Sequence, residues 1–89
     1  MPQAEAEIVN KLGLHARAAA KLTQLVSSFA AEVWLSRDGK RVNAKSIMGV
    51  MMLAAGKGSR VVVETDGQDA GAALAKVLAL IADRFGEGE

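Results

Sequence analysis

The period of the apolar residues changes along the chain in an order that leaves few folds open. Residues 4–9 alternate, with Ala6 and Ile8 on one face and Glu5 and Glu7 on the other, which is the pattern of a half-buried strand. Gly13 interrupts, and over residues 16–29 the period becomes helical. Leu22, Leu25, Val26 and Phe29 form one stripe, joined at its start by Ala18 or Ala19, while Arg17, Lys21, Gln24 and Ser28 lie largely off it. Val33, Trp34 and Leu35 make the next strand, ended by Arg37-Asp38-Gly39-Lys40. Asp-Gly between two short β-type runs signals a hairpin, because both central positions take φ > 0. Residues 41–44 are then the return strand.

Ser46 can cap a short helix over residues 47–54, stopped by Gly56-Lys57-Gly58. Residues 60–65 are the most β-prone stretch. Asp66-Gly67 turns, and Asp69 can cap a last helix whose buried face carries Leu74, Val77, Leu78 and Ile81, with Arg84 near its negative end. The order β-α-β-β-α-β-α, with helices that each offer one apolar stripe, is that of a two-layer α+β sandwich.

Eighty-nine residues suffice for a single domain, 1–89, with residues 86–89 expected as a frayed polar tail. Phe29, Trp34 and Phe85 are the only aromatics in a chain that is 51% apolar, so the core is aliphatic. One histidine and no cysteine exclude disulfides, thiolate zinc sites, Cys/His dyads and His-His metal pairs. Eleven basic residues against ten acidic ones argue against a nucleic-acid binder or a protein held on anionic lipid by bulk charge. Met1-Pro2-Gln3-Ala4-Glu5 lacks the basic and apolar regions of a secretory signal. The longest apolar run, 47–56, is about half of the roughly 20 residues that span a bilayer. A cytoplasmic protein without membrane insertion is expected.

Gly13-Leu14-His15-Ala16-Arg17 sits where a loop becomes a helix. The first N–H groups of a helix lack intrahelical acceptors and the dipole adds positive charge there, so that end attracts anions. An unperturbed imidazole titrates at about 6.5 and is a nucleophile near neutral pH. Arg17, two residues on, can hold phosphoryl oxygens through paired bonds, and Gly13 removes a Cβ where a partner would come close. The same pattern also fits a histidine that only caps a helix or faces solvent.

Ser46 heads Ile47-Met48-Gly49-Val50-Met51-Met52-Leu53, a helix apolar on nearly every side. In a small two-layer domain full burial of such a helix is hard, and an exposed Met-rich patch is a docking surface. A phosphate on Ser46 would add about −1.5 to −2 charge at its edge. A plain N-cap serine above core methionines is the other reading. Gly56-Lys57-Gly58-Ser59 is no phosphate loop, since Met51 stands at the first glycine position. Asp66 and Asp69 read as turn and cap residues rather than a catalytic pair.

Residues 10–17, Asn-Lys-Leu-Gly-Leu-His-Ala-Arg, and 42–51, Val-Asn-Ala-Lys-Ser-Ile-Met-Gly-Val-Met, resemble the two signatures of the HPr family, the histidine-containing phosphocarriers of the bacterial phosphoenolpyruvate:sugar phosphotransferase system. The resemblance covers essentially the whole chain. It implies an open-faced β-sandwich, with a four-stranded antiparallel sheet in order 1-4-2-3 and three helices on one face. It implies that His15 takes a phosphoryl group on Nδ1 from enzyme I and passes it to enzyme IIA proteins, attended by Arg17. Ser46 matches a regulatory serine phosphorylated by HPr kinase/phosphorylase. The implied partner surface includes Ala16, Arg17, Ala20, Gln24 and Ser27 on the first helix, with Ile47, Met48 and Met51 on the short one. Such a protein is a monomeric carrier rather than a turnover enzyme and needs no cofactor.

Ala18 departs from the signature, which usually has proline there. Proline pre-sets φ in a first helical turn, so alanine is expected to loosen that turn modestly and add one N–H donor. A nitrogen-type branch shares the histidine motif, which leaves open a regulatory module with little sugar-transport flux, or a switch driven by Ser46 phosphorylation. A small nucleic-acid-binding or ferredoxin-like domain is a further rival, opposed by the charge balance, the scattered aromatics and the missing cysteines.

Overall fold

Asp38 and Gly39 both take positive φ, 51° and 81°, and fold the hairpin that the Asp-Gly pair predicts. The structure, a computed structural model, describes residues 2–88. Along the chain run β1 (Gln3–Glu7), α1 (Ala16–Ser27), β2 (Glu32–Arg37), β3 (Lys40–Asn43), α2 (Ile47–Met52), β4 (Arg60–Asp66) and α3 (Ala70–Ala82), followed by a tight turn at Arg84–Gly86. The four strands form one antiparallel sheet in the order β1-β4-β2-β3, and together with the three helices this is the open-faced sandwich expected.

Strand register sorts the side chains by face. Val61, Val63 and Thr65 of β4 and Val33 and Leu35 of β2 are buried, and Ala4, Val63 and Leu35 lie in one row across three strands. α3 packs on β4, β1 and β2, and α1 touches both α2 and α3. On the other face Trp34 pairs with Glu64, and the Arg41 guanidinium lies 4.2 Å from the Trp34 ring centre and 3.4 Å from the Glu64 carboxylate.

Helix faces differ from expectation in detail. In α1 Ala18, Ala19, Leu22 and Val26 are buried, whereas Leu25, and Phe29 just beyond the helix, are half-buried. In α3 the buried line is Ala70, Ala73, Val77 and Ile81, with Leu74 and Leu78 flanking it, because small side chains let the helix sit close on the sheet. Asp69 does not cap α3 with its side chain. Its ψ of 25° is not the extended conformation of a capping residue. The carboxylate instead accepts from the N–H groups of Ala30 and Ala31, at 3.0 and 2.8 Å, and ties the start of α3 to the α1–β2 connection.

Candidate functional site

Gly13 has φ 66°, and a Cβ there would lie 2.5 Å from the Ala55 carbonyl oxygen and 2.7 Å from the Gly56 Cα. The close approach that glycine permits is therefore within the chain, to the α2–β4 connection, and not to a partner as the sequence suggests. The Leu14 N–H donates to that same Ala55 oxygen at 2.9 Å. This contact fixes the direction in which α1 starts.

His15 occupies the N-cap position of α1 with extended backbone (φ −75°, ψ 178°), and its carbonyl accepts from the Ala19 N–H. Its side chain does not cap the helix. It turns to the C-terminal segment, where Nε2 lies 2.5 Å from Oε2 of Glu87. The other Glu87 oxygen accepts from the Asn10 side-chain amide at 3.0 Å, and that amide also donates to the Gly13 carbonyl at 2.9 Å. Asn10 is fully buried, so the carboxylate is clamped from below. The Asn10 donor holds the Glu87 carboxyl below its ordinary value, aided by the hydrogen bond and charge of His15 and opposed by burial. A carboxylate only accepts, so the shared proton belongs to Nε2, and a neutral ring then carries its lone pair on Nδ1.

The frayed tail expected at 86–89 is not what places Glu87 there; Glu89 lies outside the described residues. Phe85 is fully buried and anchors the segment. Arg84, Phe85 and Gly86 take φ of 55°, 54° and 74°, a left-handed turn that follows α3. Two non-glycine residues in this region cost roughly 1–2 kcal/mol each, and burial of a phenylalanine returns about 1.5–3 kcal/mol. Lys21 adds a hydrogen bond from Nζ to the Phe85 carbonyl at 2.7 Å. Arg84, expected at the negative end of α3, makes no hydrogen bond to its carbonyls among the described residues.

Arg17 lies exposed in the first turn of α1 and makes no hydrogen bond or ion pair among the described residues. With Lys11, Leu12, His15, Ala16 and Glu87 it lines a depression of about 470 Å³. The structure thus brings His15 and Arg17 to one site and joins to them Asn10, from the same 10–17 signature, and Glu87, Lys21 and Phe85, to which the sequence assigns no site role. A lone aromatic just beyond an apolar helix was the one local sign of an anchored end. Ala18 is buried at the third helical position, and the helix is intact without proline.

Ala16, Gln24 and Ser27 are exposed and Ala20 is half-buried, on the solvent side of α1. Ser46 caps α2, its hydroxyl accepting from the Gly49 N–H at 3.0 Å, and remains exposed. Ile47, Met48 and Met51 are exposed as expected, Met48 by 74%, and Leu12 and Met52 join them. The core-methionine reading of this helix therefore fails, and α2 buries only Val50.

Residues 2–83 match the family described as "PTS HPr component phosphorylation site". The chain belongs to the HPr family. It is 64% identical over 89 residues to a phosphocarrier protein HPr of Cupriavidus necator, with both chains covered in full. HPr of Thermoanaerobacter tengcongensis has the same fold in a crystal structure described as HPr-C-His, with a TM-score of 0.94, 44% identity and 98% of each chain covered; a second crystal structure, described as an HPr dimer, gives 0.78. A phosphocarrier protein NPr of Shewanella violacea is 46% identical over 80 residues, 90% of this chain and 88% of that one. The HPr family is a phosphocarrier component of the phosphotransferase system, so the chemistry at issue is phosphoryl transfer.

Proposed function

We propose that this HPr-family chain accepts a phosphoryl group from enzyme I on His15 Nδ1 and passes it to enzyme IIA proteins. One observation carries the reading. The Glu87 carboxylate engages His15 Nε2, which leaves Nδ1 as the nucleophile at the start of α1, in the depression that Arg17 shares. In the transfer, the Nδ1 lone pair attacks phosphorus in line, the new N–P bond forms, and the donor's bond to phosphorus breaks with its electron pair returning to the donor. Arg17 and the unbonded N–H groups at the start of α1 neutralise the phosphoryl oxygens. Proton-bearing Nε2 gains positive character as Nδ1 is phosphorylated, and the adjacent carboxylate stabilises that charge.

An exposed rim of Ala16, Ala20, Gln24, Ser27, Ile47, Met48 and Met51 suits brief docking to successive partners, because weak transient interfaces are small and shallow. Ser46 phosphorylation by a kinase such as HPr kinase/phosphorylase would place about −1.5 to −2 charge beside the apolar residues and weaken docking there. On this reading the carrier sits in the cytoplasm and works as a monomer. Separately, no helix among the described residues is long and apolar enough to cross a membrane. The test is incubation with enzyme I and labelled phosphoenolpyruvate. Acid-labile label that disappears in His15→Ala is expected, and acid-stable label or none overturns the mechanism.

The likeness to an NPr supports a second reading, a nitrogen-type regulatory branch. Comparing phosphorylation rates with sugar-branch and nitrogen-branch enzyme I separates the two, since the cognate donor works at lower concentration.

A further inference from the structure

Beside the His15 depression opens a cleft of about 610 Å³ lined by Glu7, Val9, Lys11, Lys57, Arg84 and Gly88. Lys11 lines both, so the two lie side by side. Lys57 and Arg84 are exposed and make no hydrogen bond or ion pair among the described residues. The carboxylate in the cleft, Glu7, faces the Arg60 guanidinium at 3.6 Å and so is already partly compensated. Lys57 and Arg84 thus bring two unpaired cations to one cleft, beside Lys11, which is itself already engaged, in a chain whose net charge is only +1. The left-handed turn that delivers Glu87 to His15 also presents Arg84 to this cleft.

The opposite flank of the site is different. Along the solvent side of α1, Ala16, Ala20, Gln24 and Ser27 are uncharged, and Arg17 is the cation. Cations therefore stand on both flanks of His15, Arg17 on α1 and Lys57 and Arg84 on the side of the Lys57 loop and the C-terminal turn, where the Glu87 carboxylate is already taken up by His15 and Asn10. Val9 is the one apolar side chain in the cleft, whereas small-molecule sites are mostly apolar. Charge of this kind acts on protein association by steering and orienting a partner.

We propose that the Lys11–Lys57–Arg84 cleft receives an acidic segment on the protein surface of a phosphoryl-transfer partner, and aligns it as its phosphoryl group meets His15. The inference rests on the phosphocarrier reading and extends its docking surface beyond α1 and α2. The test uses Lys57→Glu and the double variant Lys57→Glu/Arg84→Glu, neither position touching the phosphoryl group. Second-order rate constants are measured for transfer from phosphorylated enzyme I and for transfer onward to an enzyme IIA. Phosphorylation by phosphoramidate, which needs no docking, runs in parallel. At about 0.01 M salt the double variant is expected to lose roughly tenfold or more with at least one partner, and the single variant part of that. The gap should close near 1 M salt, where the screening length falls to about 3 Å. Phosphoramidate should label all three proteins equally.

Unchanged rates with both partners at low salt overturn the proposal. So does a loss that persists at high salt. If pyrophosphate binds the wild type but not the double variant while transfer rates agree, the cleft holds a free polyanion and the proposal fails. Wild-type protein that neither donor phosphorylates overturns the phosphocarrier reading itself, and this inference with it.

Discussion

Glu87 Oε2 lies 2.5 Å from His15 Nε2, joining the last described turn of the chain to the first residue before α1. In the proposed mechanism the contact selects which imidazole nitrogen is left to react. Glu87→Ala is expected to slow phosphorylation of His15 by about tenfold to a hundredfold, the worth of a hydrogen bond to a charged group. Glu87→Gln, whose amide oxygen still accepts from Nε2, should recover part of the loss. Nitrogen NMR of the ring, alongside single-turnover phosphorylation, checks both: the alanine variant should populate both neutral tautomers, which a merely structural role for Glu87 would not produce.

Phe85 holds the segment that carries Glu87. Phe85→Ala is expected to cost about 3 kcal/mol, at the low end for a buried phenylalanine because the left-handed turn can relax once its anchor is gone. Urea unfolding measures the loss. Phosphorylation should slow in this variant to about the rate of Glu87→Ala, since both free the imidazole.

Gly13→Ala forces a Cβ to within 2.5 Å of the Ala55 oxygen in a left-handed backbone. A loss of at least about 2 kcal/mol is expected from the backbone conformation and the overlap together. Thermal unfolding reads it, and an unchanged midpoint would remove the claim that Gly13 serves an internal contact.

Acid should loosen two clamps. The Ala30 N–H, then the Ala31 N–H and the charge of Lys45, hold the Asp69 carboxyl below its ordinary value against the opposing effect of burial. The Glu87 carboxyl is lowered too, chiefly by Asn10. For a carboxyl whose folded pKa is depressed, the unfolded chain binds protons first as pH falls, so the stability it contributes is whole above the ordinary carboxylate range and lost below it. The unfolding midpoint is expected to be flat above about pH 5 and to fall below about pH 4. Asp69→Asn should lower the midpoint at neutral pH and flatten the acid slope. An unaltered slope in that variant would contradict the assignment.

Much of the fold is legible in local pattern. Alternation in β1, the β propensity of β4, the Asp38-Gly39 turn and the Ser46 cap each depend on neighbours in sequence; the turn and the cap are found where the pattern puts them, β4 runs one residue further, and β1 is Gln3–Glu7 rather than residues 4–9. His15 and Arg17 are legible as a pair for the same reason, being two residues apart at one helix start. Glu87 is not. It lies 72 residues from His15, in a glycine-rich stretch, and its position depends on where α3 delivers the chain and on Phe85 finding the core. Asp69 escaped for a related reason: its acceptors, Ala30 and Ala31, belong to another connection, and local capping rules say nothing of them.

In the proposed carrier, His15 Nδ1 takes the phosphoryl group while Nε2 remains held by Glu87. Nitrogen- and phosphorus-resolved NMR of the protein after phosphorylation by enzyme I and phosphoenolpyruvate tests it most directly. A single acid-labile phosphorus bonded to His15 Nδ1 is expected, with Nε2 still protonated. Phosphorus on Nε2, or label that survives in His15→Ala, would contradict it.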